Sequence, residues 1–290
     1  MDSIKVTLPK FLIPYEAPDL IRLGNKNDGG YLVKESILNK SNLLLSMGIL
    51  YDWKFEKEIY KNYGFSIVTY DGSVGSKYFR KKIKTRIRNS FSNLNFAYIK
   101  RTLFYIFLPI RFFYFFSNSL SKNKIVHYEK FVTNSKSNID ESNFLLKMGY
   151  KPSFISIDEI IEKHISNEKN IILKIDIEEN EYDLLDSILD IQNNLSMLII
   201  EFHNLNTENL NKLENFISKF NLNLFHTHAN NFGWRQNEQI KMVNEKNIPL
   251  VLELTFANEK PISGRVAYLP HKLDNECNTK GQTLNIELNK

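Results

Sequence analysis

The chain has 290 residues, 42% of them hydrophobic and 24% charged, with 38 Lys or Arg against 33 Asp or Glu for a net charge of +5. These are ordinary globular proportions, and the length suits one α/β domain carrying an insertion. A lone cysteine, Cys277, excludes an intrachain disulfide and a cysteine metal site and reads as a bystander. No basic-then-apolar leader is present, so a cytoplasmic protein is expected.

In chain order, residues 1–41 form an N-terminal segment holding Asp28-Gly29-Gly30-Tyr31. The domain proper, 42–256, opens on apolar Leu43 to Leu45, which run into Ser46-Met47-Gly48. Trp53, Phe55, Ile59 and Tyr60 then predict a helix, so the start reads as strand, tight glycine turn, helix. A second strand, Ser66 to Tyr70, ends in Asp71. The separation of Gly48 and Asp71 is that at which a Rossmann-like unit places an acid on a ribose, which suits an adenosine-type ligand.

An insertion, 77–124, follows. Between Gly72 and Tyr128 there are 12 Lys or Arg and no Asp or Glu, leaving 26 basic against 33 acidic residues elsewhere. The positive charge of the chain therefore belongs to this stretch. Phe79, Ile83, Ile87 and Phe91 recur every four residues among the cations, the pattern of a basic amphipathic helix. Leu103 to Phe116 is apolar and aromatic but interrupted by Arg111 and Pro109, too short a run for a membrane span. Three roles are open. The insertion packs its aromatics on the sheet, or forms a lid that takes an anionic or lipid-linked substrate at the inner face of a membrane, or binds nucleic acid, the least favoured.

Beyond it, strands are predicted at Ile125 to Phe131, Ile171 to Asp176, Met197 to Phe202, Leu222 to His226 and Leu250 to Phe256. Helices are predicted at Ser156 to His164, Glu181 to Leu189 and Glu208 to Phe220. Residues 257–290 form a C-terminal extension. The alternation implies an α/β fold, a Rossmann-like, seven-stranded, mostly parallel sheet covered by helices on both faces. Asp176, Glu178 and Glu181 then fall where the fourth strand meets its helix, at the rim where such sheets bind ligands.

Four ordered elements resemble the FkbM-like class I S-adenosylmethionine-dependent methyltransferases. The first is Arg22 and Gly24 with Asp28-Gly29-Gly30-Tyr31, and the second is Ser46, Gly48, Ile49, Phe55 and Glu56. The third is Lys174, Ile175, Asp176, Glu178 and Glu181, with Glu179 where the family usually has glycine. The fourth is His228, Asn230 and Asn231 before Glu253, Thr255 and Phe256. The resemblance implies S-adenosylmethionine as cofactor, an antiparallel last strand, and O-methylation of a saccharide or other small polar, phosphorylated acceptor; the heavy use of Asn, Lys and Ile points to an AT-rich bacterial genome. It implies cofactor contacts from Ser46, Met47, Gly48, Asp71, Asp176 and Glu178.

Asp176, His203 and His228 are the candidate catalytic residues, a histidine being suited to take a proton from the acceptor near neutral pH. Glu181, Asn230, Asn231, Arg80 and Lys81 are the candidate substrate contacts. Nothing in the spacing fixes a metal ligand set, and none is assigned. The rival class is a membrane-surface or nucleic-acid binding protein with a degenerate methyltransferase core.

Overall fold

Seven segments pair into one sheet, whose central strands are apolar and buried on both faces. In the computed structural model, which describes residues 3–90, 96–117, 124–134, 153–166, 168–232, 238–243, 245–262 and 264–288, they are β1 Leu43–Met47, β2 Ser66–Tyr70, β3 Ile125–Tyr128, β4 Ile171–Ile175, β5 Leu195–Phe202, β6 Asn223–Asn230 and β7 Val251–Ala257. The order across the sheet is β6-β7-β5-β4-β1-β2-β3. All neighbours are parallel except β7, which runs antiparallel to both β5 and β6. The sheet is thus mixed, with its last strand reversed.

Side chains alternate across it as the pleat requires. Ile171, Leu173 and Ile175 of β4 enter one core, while Ile172 enters the other. Among the described residues, besides the single helical turn Glu35–Leu38, the helices are α1 Lys54–Tyr63, α2 Ser76–Ser90, α3 Phe96–Phe116, α4 Ile157–His164, α5 Leu185–Asp190 and α6 Thr207–Lys219. Their ends follow capping chemistry. Gly64 ends α1 at φ 71°, Ser156 accepts from the Glu159 N–H at the start of α4, and Asn206 does the same from Asn209 for α6.

Three sequence expectations are corrected. The segment Ile125 to Phe131 divides: β3 stops at Tyr128, and Phe131–Thr133 leaves the sheet to pair with Phe154–Ser156. The stretch after Glu181 begins as a 3-10 turn, Asn180–Leu184, and becomes α-helical only at Leu185. Strand β6 continues past His226 to Asn230, so His228 and Asn230 lie within it rather than beyond it. The cause is its pairing with β7, which extends the ladder through polar residues that local hydropathy does not mark as strand.

Segments outside the sheet close on one another. Ile4–Leu8 pairs in parallel with Leu284–Leu288, and the Asp28-Gly29-Gly30-Tyr31 turn joins a hairpin of Leu20–Gly24 with Gly30–Lys34. Between β2 and β3 stand α2 and α3. Leu108, Phe112 and Phe115 of α3 are buried, and Phe112 meets Trp53 and Phe79 edge-on at 5.4 and 5.2 Å. Phe91 lies outside the described residues. No helix among the described residues is long and apolar enough to cross a membrane.

Candidate functional site

The chain leaves β1 for β2 and β3 on one side and returns to β4 on the other, so the direction of winding switches between β1 and β4. At such a point the two connections diverge and leave a crevice at the carboxyl ends of the strands. Gly48 stands there. Its φ is +80°, and a Cβ on it would lie 1.6 Å from the carbonyl oxygen of Asp176. The Lys174 ammonium donates to the Gly48 carbonyl at 2.7 Å, and Ser46 Oγ donates to Glu56 at 2.7 Å.

Asp71 shapes the same loop. One carboxylate oxygen accepts from the N–H groups of Ile49 and Leu50 at 2.9 and 2.7 Å, and the other from the N–H and hydroxyl of Ser73. A carboxylate offers about four acceptor positions, so the loop engages all of them. Ser46 and Met47 are fully buried, backbone included, so of the Ser46-Met47-Gly48 run only Gly48 reaches the surface.

A second group gathers around His203, just past β5. Glu181, fully buried, accepts a hydrogen bond from His203 Nδ1, which turns Nε2 toward the rim. Around Nε2 stand oxygens of Glu201 at 3.7 Å, Glu178 at 3.9 Å and Asp176 at 4.0 Å. Burial by itself lowers the pKa of His203, but the hydrogen bond to Glu181 and the charges of Glu201, Glu181 and Asp176 push it up to about 10. At neutral pH this imidazole is a cation that donates, the reverse of what a proton-taking base needs. The Tyr31 hydroxyl donates to Asp176 at 3.0 Å and joins the N-terminal hairpin to the rim.

Glu178 and Glu179 hold φ of 58° and 82°. Glu179 thus holds a left-handed turn at a cost of about 1 to 2 kcal/mol for a residue with a Cβ. The strain sits where the chain leaves the end of β4.

A buried polar row continues across β5, β7 and β6. Glu201 is directly opposite Glu253, and Glu253 is opposite His228. Burial pushes both carboxyls up, and the charge of Glu253 raises Glu201 further. The Asn230 amide bridges them, donating at 2.9 Å to Glu201 and 3.3 Å to Glu253. Cys277 is no bystander: its thiol donates to Glu253 at 3.5 Å and lies 3.5 Å from His228 Nε2. Asp274 holds His226 at 2.8 Å and approaches His228 Nδ1 at 3.6 Å. Neither Cys277 nor Asp274 has a sequence signal, because both come from the irregular C-terminal segment.

The remaining candidates separate by position. Glu181 acts through His203 and, being fully buried, offers no surface to a substrate. Asn231 donates to the carbonyls of Asn278 and Gln282, tying the C-terminal segment to the end of β6. Arg80 and Lys81 are exposed on α2. Hydrogen bonds nonetheless link the four sequence elements: Tyr31 to Asp176, Lys174 to Gly48, and Asp28 with Asn230, while Thr255 donates to the Leu32 carbonyl at 2.7 Å beside the first.

No protein-family model matches the chain, and no curated protein matches it. Among solved structures it is similar to a suspected methyltransferase from Thermoplasma acidophilum, at 11% identity over 78% of this chain and 71% of that one, with a TM-score of 0.29. It is also similar to a suspected sarcosine dimethylglycine methyltransferase from Galdieria sulphuraria, at 9% identity over 77% and 80% of the two chains, with a TM-score of 0.31. Both scores are too low for the likeness to bear on function.

Proposed function

We propose that this chain is an S-adenosylmethionine-dependent methyltransferase that methylates an oxygen of a saccharide or other small polar, phosphorylated acceptor. The observation that carries the reading is that three separate sequence elements, the Asp28–Tyr31 turn, the Gly48 turn and the Lys174–Glu181 segment, are joined by direct hydrogen bonds at the crevice between β1 and β4. A structural network needs no such gathering at the switch point, whereas a ligand site does.

The residues suit the cationic end of the cofactor. Glu178 and Asp176 bring carboxylates to the rim, and a sulfonium with an ammonium is the kind of charge they would neutralise. The Gly48 turn leaves backbone exposed at the mouth of the crevice. At the ribose end Asp71 is engaged by its own loop, so we assign it to shaping that loop and let a ribose contact come by exchange of one of its bonds. When bound, the cofactor supplies an electrophilic methyl group. The imidazolium of His203 serves this reaction as a donor that orients an acceptor oxygen or phosphate. His228 sits deeper, against Cys277 and Asp274.

Calorimetric titration with S-adenosylhomocysteine tests the reading. A saturable heat with one site per chain is expected. Changing Glu178 to Gln should weaken it by about 1.5 to 3 kcal/mol, the range for contacts to a charged group. A folded protein with no saturable heat overturns the proposal and leaves the degenerate-core reading.

The helices α2 and α3 support a membrane-docked form of the same enzyme. Phe107, Ile110 and Tyr114 of α3 are 55%, 63% and 74% exposed, although Leu108 and Phe112 on the opposite face are buried. Arg80, Lys84 and Arg88 are exposed on the neighbouring helix. Exposed aromatics beside cations match an anionic lipid surface, and a lipid-linked acceptor would be met there. Vesicles with anionic lipid should therefore retain the protein at 0.1 M salt and release it at 1 M, where the Debye length falls from about 10 to about 3 Å. The double change Phe107→Ser, Ile110→Ser should abolish retention without unfolding. Equal behaviour with neutral and anionic vesicles would assign the patch to something other than lipid.

A further inference from the structure

We infer that Asp176, Glu201 and His203 form a binding site for one divalent first-row transition-metal ion. The inference goes beyond the methyl-transfer reading and does not require it. Donor atoms of these three residues all lie within 4.8 Å of one another, and they come from the ends of two adjacent strands. The distances from His203 Nε2, 3.7 Å to Glu201 Oε1 and 4.0 Å to Asp176 Oδ1, are too long for hydrogen bonds. They suit ligands sharing one ion: two atoms each about 2.1 Å from a metal lie about 3 to 4.2 Å apart, depending on the angle.

The surroundings have the arrangement that metal-bound histidines use. Glu181 takes the Nδ1 proton, fixing the tautomer and turning Nε2 to the carboxylates, as an outer carboxylate does for a ligating imidazole. The other oxygen of Glu181, Oε2, is buried with no hydrogen-bond partner among the described residues. A buried carboxylate oxygen left without a hydrogen bond is costly in a purely structural role, and Glu181 carries it directly behind the ligating ring. The Tyr31 hydroxyl occupies Asp176 Oδ2 and leaves Oδ1 for the ion. Asn230 holds Glu201 in place at 2.9 Å.

Binding exchanges the Nε2 proton, released to water, for the ion. Two carboxylate oxygens with one imidazole nitrogen favour Mn²⁺, Fe²⁺, Co²⁺ or Zn²⁺ over Ca²⁺ or Mg²⁺, which take oxygen ligands. The neighbouring trio of His228, Glu253 and Cys277 is a poorer site. There the thiol already bonds the carboxyl, and burial pushes the Cys277 thiol far above its ordinary range, so the thiolate that a metal needs is disfavoured. If the methyl-transfer reading also holds, the ion would take the acceptor oxygen and make its proton easy to lose. Glu178 then remains for the cofactor ammonium.

The test is direct titration of the chelator-treated full chain with Mn²⁺, followed by calorimetry and by electron spin resonance. One Mn²⁺ per chain is expected, with an echo-modulation signal from an imidazole nitrogen. Glu201→Gln and Asp176→Asn should abolish saturable binding, while Glu181→Gln, which keeps a hydrogen bond to His203, should weaken it by about 10 to 100-fold. Cys277→Ser should leave it unchanged. The proposal is overturned by absence of saturable Mn²⁺ binding, by absence of nitrogen modulation, by binding that survives both carboxylate changes, or by loss in Cys277→Ser. The nitrogen signal is read on the unaltered chain, so it decides even if a variant fails to fold. Because no cofactor is present, the outcome is separate from the S-adenosylhomocysteine titration.

Discussion

Gly48→Ala is expected to lower stability by about 2 to 5 kcal/mol and to remove cofactor binding. The added Cβ would lie 1.6 Å from the Asp176 carbonyl oxygen, at a φ of +80° that alanine rarely adopts. The conformation costs about 1 to 2 kcal/mol. Relief of the overlap costs about 1 to 3 kcal/mol more, because the atom met is backbone and the β1 and β4 ends must part. Gly64 provides the control. Its φ is +71° but nothing lies within 4 Å of the Cβ position, so Gly64→Ala should show the conformational cost alone. Urea unfolding midpoints of the two variants measure the difference. Equal losses would mean that the switch-point contact between Gly48 and Asp176 contributes nothing.

Lys174→Ala should cost about 3 to 5 kcal/mol, the penalty for leaving a buried charge without its partner. Lys174 is 5% exposed, donates to the Gly48 carbonyl at 2.7 Å and lies 3.9 Å from both Glu56 and Asp176. Glu56 is 1% exposed, and burial already pushes its carboxyl up against the pull of Lys174. Removing the ammonium therefore leaves Glu56 to be neutralised or hydrated inside the protein. Adding Glu56→Gln to a Lys174→Met chain should recover part of the loss, which a double-mutant cycle reads as coupling. Additive effects would show that the two residues do not act as a pair.

These two variants probe contacts that link distant parts of the sequence, and there the sequence was least informative. Its local signals were strong where burial is two-sided. Ser66–Tyr70 emerges with the predicted boundaries, and β4 and β5 differ from prediction by one or two residues. A strand covered on both faces must be apolar throughout, and a run of Ile and Leu records that requirement without reference to its neighbours. The boundary errors occur where pairing, not hydropathy, decides. Strand β6 carries His228 and Asn230 because β7 pairs with it, and Phe131 leaves the sheet because Phe154 provides another partner.

The same division runs through the site. Asp176, Glu178 and Glu181 could be placed at a rim from sequence because a strand end and a helix start fix their positions along the chain. Their separate roles could not. Glu181 turns inward to His203 while Glu178 stays 68% exposed, and only packing sets that difference. Asp71 could be recognised as a strand-end acid, but its four bonds to its own loop depend on the exact course of residues 49 to 73.

By itself, the sequence determined the alternation of strands and helices, the basic and aromatic character of the stretch between β2 and β3, and the order of four polar elements, since each is a property of neighbouring residues. The tertiary structure alone decided that those elements bond to one another, that Glu201 faces Glu253, that Cys277 joins His228, and which aromatics of α3 remain in solvent. Register across strands and contact between remote segments are settled by the free energy of the assembled core, where a shift of one residue exchanges buried and exposed faces. No local period in the chain carries that information.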